Sequence, residues 1–208
     1  MLKKLVANKY YFLAELLLLV LITLNRGLFT HQNYQIRLTV YLVSIFYLVF
    51  ILKFTGFPTR QLGLQTENFV KSIGVATPTL ILYLISLFLV YSLWTTIFYL
   101  GIDQGTISSI ILRMLAYVFI SVPVQEIVFR SYVIHRLKSF SSKRYFLIII
   151  SSLIFAYAHW PFGNILLTIG SFFFGIYAAV SFLRFRNIFT VMVLHAIVGL
   201  TLMLGVLQ

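Results

Sequence analysis

Residues 10–207 return repeatedly to apolar runs about twenty residues long. That is the length a helix needs to cross the roughly 30 Å hydrocarbon core of a bilayer. Seven such runs can be laid out, at 10–29, 36–54, 74–100, 107–135, 144–161, 164–183 and 187–207. The expected fold is all-α, a polytopic transmembrane helix bundle. It fills residues 1–208 as one membrane-embedded domain. Composition agrees, since 61% of residues are hydrophobic and 10% charged, against about 25% charged in a soluble domain. The opening "MLKKLVANKYYFLAELLLLVLITL" looks like a signal peptide, but no small-residue cleavage site follows its apolar run, so it reads as a retained first span. The connection 55–73 is the most polar stretch. It is expected to form a short interfacial helix after Pro58, with Leu62, Leu64, Phe69 and Val70 toward lipid.

Charge sets the orientation. The net charge is +12, but twelve of the sixteen Lys and Arg residues cluster on alternate connections. Lys3, Lys4 and Lys9 precede the first span; Lys53, Arg60 and Lys71 follow the second. Arg136, Lys138, Lys143 and Arg144 follow the fourth, and Arg184 and Arg186 follow the sixth. Basic residues mark cytoplasmic loops, so the N-terminus is expected inside and the C-terminus outside. The same pattern argues against nucleic acid as a partner, because the basic residues sit in short loops between spans rather than on one patch. The chain has no cysteine, which excludes disulfides and thiolate chemistry.

Against this background, "VQEIVFR" (124–130) is anomalous, because it puts a glutamate and an arginine inside an apolar run. At about 1.5 Å per residue, Glu126 lies roughly 15 Å from the cytoplasmic end of its span, His159 roughly 22 Å and His195 roughly 13 Å. An acid in the membrane costs at least about 2.5–3.5 kcal/mol. Three ionisable side chains on three spans are therefore expected to line one polar cavity. Arg130 shares a helix face with Glu126 and can fix its carboxylate. Phe155 stands four residues before His159 and can wall the imidazole off from lipid. Pro123, one turn before Glu126, breaks the backbone ladder where a cavity can widen. Ser171, Gly175 and Ala179 make a small-residue stripe for close helix approach. The competing reading is structural: Glu126 and Arg130 merely pair, and each histidine bonds a carbonyl. His31 and His135 fall near span ends and read as interfacial. Glu15 reads as structural, reaching the interface near Lys9.

At these residues the chain resembles the CAAX-protease and bacteriocin-processing (CPBP, or Abi) family of intramembrane proteases. Its pattern is a Glu-Glu-x-x-x-Arg helix, then Phe-x-x-x-His, then His-x-x-x-Asn/Asp. Here these read "QEIVFR", "FAYAH" and "HAIVG", in order and on separate spans, with "RQLGLQ" before the third span also similar. The resemblance covers about residues 58–205. It implies a water activated by glutamate and histidine for attack on a peptide bond, a membrane-anchored peptide, lipoprotein or lipid-modified substrate, and a bacterial cytoplasmic membrane. Two positions depart from the pattern: Gln125 replaces the first glutamate and Gly199 the Asn/Asp. An amide cannot take a proton near neutral pH, and glycine offers no side chain.

Three readings follow from what remains. The first is an intramembrane endopeptidase with Glu126 as base and His159 and His195 orienting water or stabilising the oxyanion. The second is acyl transfer to a lipoprotein N-terminus on the same scaffold. The third is a pseudoenzyme that binds and regulates a membrane protein partner. A divalent metal such as zinc on His159 and His195 would have only a minimal ligand set.

Overall fold

The computed structural model describes residue 4 and residues 8–24, 34–55, 59–93 and 106–205. Among these the regular elements are all helical. Two helices come first: α1 (Lys9–Leu24) and α2 (Tyr34–Thr55). A single turn, α3 (Thr59–Leu62), leads to α4 (Phe69–Leu93). The long helix α5 runs over Ile107–Leu137. Next are α6 (Arg144–His159), continued by a 3-10 turn at Trp160–Phe162, then α7 (Ile165–Phe185) and α8 (Ile188–Gly205). Each of the seven expected spans coincides with one of these helices over the described residues. Phe69–Val90, Ile107–Leu137, Arg144–Phe162 and Ile165–Phe185 are long and apolar enough to cross a membrane; Leu42–Lys53 and Ile188–Leu204 are shorter apolar stretches. The result is an all-α membrane bundle. Leu18, Phe46, Leu82, Phe88, Leu112 and Phe119 lie on its outside, where lipid rather than water receives them.

Two features of the bundle position the site. The first is the α6–α7 contact. Gly175 lies so near α6 that a Cβ added there would sit 3.0 Å from the Ser152 Cα, and Ser171 and Ala179 are buried on the same stripe. The small residues thus do what was expected of them, since two backbones approach closely only where side chains are short. The second is the shape of α5. It is π-helical over Tyr117–Ser121 and again over Ile127–Val133, with a short α segment, Val122–Glu126, between. The break expected around Pro123 takes this form: the Val122 N–H reaches back to the Tyr117 carbonyl, five residues away.

The connection after α2 differs from expectation. Only one turn of helix forms after Pro58, and Phe69 already begins α4. Leu64 and Val70 are exposed, but Leu62 is buried instead of facing lipid. The reason is that residues 61–68 fold back onto the α7–α8 turn. Gln65 Nε2 donates to the carbonyls of Phe185 and Arg186 at 3.0 Å each, and Asn68 Nδ2 to that of Phe185 at 2.7 Å. Asn187 Nδ2 returns a bond to the Gln65 carbonyl at 2.8 Å. The last carbonyls of a helix have no partner within it, and this loop supplies one. Gly63 makes the fold-back possible: its φ is +75°, and a Cβ there would meet the Phe182 ring and the Arg186 carbonyl.

Glu15 also finds different partners. Rather than reaching the interface near Lys9, its carboxylate accepts hydrogen bonds from the Tyr132 hydroxyl at 2.6 and 2.8 Å, with a further one from Tyr47. Arg136 stands 3.6 Å away. These contacts join α1 and α2 to the last turns of α5. His31 lies outside the described residues.

Candidate active site

Glu126 ends the short α segment of α5 and is wholly buried. Its two oxygens have different partners. Oε2 accepts from Arg130 Nε at 3.0 Å, and Oε1 accepts from His195 Nδ1 at 2.6 Å. Arg130, also wholly buried, is one turn on along α5, and His195 comes from the middle of α8. The arginine thus neutralises the acid that a bilayer would otherwise reject. Arg130 in turn lies under the Phe155 ring, its Cζ 4.6 Å from the ring centroid, while its two terminal nitrogens find no hydrogen-bond partner among the described residues.

Phe155 occupies the centre of the cluster. Its ring is 4.6 Å from that of His159 and 5.6 Å from that of His195. The expectation that it screens His159 from lipid is thus too modest, because it also fixes the separation of the two imidazoles. His159 is the last residue of α6 and donates from Nδ1 to the Phe155 carbonyl at 2.8 Å. A carbonyl can only accept, and the Glu126 carboxylate is an acceptor as well. Both histidines therefore use Nδ1–H to hold themselves in place. In each neutral ring the lone pair is left on Nε2.

His159 and His195 line one cavity of about 60 Å³, which also takes in Tyr83, Tyr117, Phe174 and Gly199. A water needs about 10–15 Å³ of such space, so more than one fits. The expectation of three ionisable groups around one cavity is corrected on this point. Glu126 does not line the cavity; it stands behind His195, with each oxygen bonded to a side chain. The physical reason is its partnership, since a carboxylate at this depth is stabilised by Arg130 and an imidazole rather than by open space. Gln125 is also absent from the cavity wall, with its amide donating to the Ser121 hydroxyl at 2.8 Å.

The donor set fits a catalytic zinc poorly. Each histidine has its Nδ1–H anchored, as ligating histidines do, but such sites use three protein ligands. The described residues contain no group of three potential ligands, and Glu126 is already engaged. The chemistry available is that of an imidazole backed by a carboxylate, beside a second imidazole. Sequence reasoning missed Tyr83, Tyr117 and Phe174 as cavity residues. Nothing distinguishes them in a chain with 13 tyrosines and 21 phenylalanines.

The bundle and cluster define a class: a polytopic membrane protein in which an acid, a guanidinium and two imidazoles converge between spans. Residues 107–201 match the family model described as type II CAAX prenyl endopeptidase Rce1-like. All three motifs fall inside that segment, so over these residues the chain is similar to the family that the motifs resemble, that of CPBP-type membrane proteases. No curated protein and no solved structure matches the chain.

Proposed function

We propose that the protein is an intramembrane peptidase in which His195, oriented by Glu126, is the base that activates water. The observation that supports this reading most is the Glu126–His195 bond at 2.6 Å with His195 on the cavity wall. A carboxylate behind an imidazole fixes its tautomer and stabilises the imidazolium that forms on proton uptake. Water held between the Nε2 atoms of His159 and His195 gives a proton to His195, and its oxygen attacks the carbonyl carbon of the scissile bond. The tetrahedral intermediate then collapses, and the His195 imidazolium returns the proton to the departing amine. Glu126 thereby moves from base to support, and Arg130 holds the charge of that support. The substrate is a peptide attached to the membrane by lipid, reached within the bacterial cytoplasmic membrane.

A second reading, acyl transfer, is favoured by Gln125. With its amide tied to Ser121, the site has one carboxylate, and an imidazole–carboxylate pair deprotonates an amine as readily as a water. One experiment separates the two. The purified chain in proteoliposomes is given a farnesylated CAAX peptide and a diacylglyceryl-cysteine peptide, and the products are weighed by mass spectrometry. Hydrolysis yields two fragments whose masses sum to the substrate plus water, whereas transfer adds an acyl group to an amine. Unchanged turnover in His195→Ala would exclude both.

A further inference from the structure

The proposed mechanism supplies a base but leaves the developing oxyanion without a named donor. Neither histidine is that donor in its resting form. Each commits its Nδ1–H to an anchor, His159 to the Phe155 carbonyl and His195 to Glu126, and keeps only a lone pair on Nε2. The proton that His195 takes up goes to the departing amine. The Tyr83 hydroxyl, also on the cavity wall, already donates to the Gly170 carbonyl at 2.9 Å.

The next residue along α7 is different. Ser171 lines the cavity and is only 7% exposed. A serine or threonine inside a helix commonly bonds back to the carbonyl four residues earlier. Ser152 does so to Ile148 at 2.7 Å, Thr168 to Asn164 at 3.0 Å and Thr201 to Ile197 at 2.9 Å. Ser171 makes no such bond, and its hydroxyl has no hydrogen-bond partner among the described residues. Ser181 shares that lack, but its oxygen is sealed within the protein, whereas that of Ser171 is not. The register of α6 against α7 sets its level. The two helices are joined by residues 160–164 and run in opposite senses. Gly175 lies against Ser152, so one turn nearer that connection Ser171 is level with Ala156, between Phe155 and His159. Phe174, one turn from Ser171 on α7, has its ring 5.0 Å from that of His195. Close helix approach explains why residue 171 is short. It does not explain the hydroxyl, since glycine and alanine meet the same need at 175 and 179.

We infer that Ser171 is a further catalytic residue, whose hydroxyl donates a hydrogen bond to the oxyanion while His195 manages the proton. The hydroxyl keeps its proton throughout. As the water oxygen bonds to the carbonyl carbon, the carbonyl oxygen gains the negative charge and accepts from Ser171 Oγ; when the intermediate collapses, the C=O bond reforms and the bond to nitrogen breaks. A serine suits the task, because it is a donor at any working pH and its short side chain is held where two helices meet. It therefore needs little reorganisation when charge develops. This inference rests on the peptidase reading, so its test is built to fail separately.

Ser171→Ala removes the hydroxyl at almost no change in volume. Turnover of the two lipid-anchored peptides in proteoliposomes should fall about 10²-fold, the usual loss for one oxyanion donor, with KM little changed. Ser171→Thr returns a hydroxyl and should recover part of kcat. Ser181→Ala, which deletes the sealed hydroxyl, should leave kcat as it is. Membrane abundance and thermal melting in detergent confirm that each variant folds. Full kcat in Ser171→Ala while His195→Ala is dead overturns the role of Ser171 and leaves the peptidase reading intact. Equal losses in Ser171→Ala and Ser171→Thr with lowered melting overturn it too, by making the residue structural. So does an acyl adduct on Ser171 found by mass spectrometry of the parent chain, by making the serine a nucleophile. Full activity in His195→Ala, or a parent chain that cleaves neither peptide, overturns both the inference and the reading beneath it.

Discussion

Glu126 makes three demands on its surroundings, and only one was visible in the residue order. Its pairing with Arg130 follows from a four-residue spacing on one helix. Its bond to His195 joins residues 69 positions apart, and its withdrawal from the cavity depends on how α5 is wound. The buried pair also sets an expectation. Removing one charge strands the other at a cost of about 3–5 kcal/mol, whereas replacing both by apolar groups is often neutral. Glu126→Leu alone should therefore lower membrane abundance and melting temperature, and Glu126→Leu with Arg130→Leu should recover much of both. The double variant should still be inactive, because His195 has lost its acceptor. Abundance, melting and peptide turnover measured on the three chains check this; an active double variant would make the acid purely structural.

Among the elements, the apolar helices were the most legible, since length and hydropathy alone decide whether a segment can span. The small-residue stripe on α7 was legible for a similar reason, because close helix approach demands short side chains. Its test is Gly175→Leu, which drives a bulky side chain toward Ser152. Overpacking of this kind costs about 1–3 kcal/mol, and melting in detergent should fall accordingly, while the same change at Gly74, where a Cβ meets nothing within 4 Å, should have little effect. What was not legible was tertiary. Leu62 looks like an interfacial apolar residue until the α7–α8 turn presents carbonyls that need donors. Glu15 looks like an interfacial acid until Tyr132 and Arg136 arrive from a helix more than a hundred residues later.

For the molecule as a whole, orientation rests on charge. A reporter fused after Gln208 should register the outside, and one placed in the 138–143 loop the cytoplasm, because basic residues stay inside. Cytoplasmic signals from both fusions would mean that the span count is off by one. The absence of cysteine allows single cysteines to be introduced as clean labels for the same purpose. The winding of α5 carries a different consequence, for what insertion and deletion can do to this protein. A π turn amounts to one residue more than an α turn would hold. Deleting Val128 would let the segment relax into ordinary α-helix with the residues beyond it on nearly the same faces, whereas inserting an alanine beside Val128, which the π turn cannot also absorb, would turn everything beyond it by about 100°. With the added alanine hydropathy would hardly change, and the span should enter the membrane at wild-type levels. Arg130 would nonetheless swing off Glu126, and Tyr132 and Arg136 off Glu15, so catalysis and the attachment of α1 should be lost together. In this helix the number of residues, as much as their identity, is what selection has to preserve.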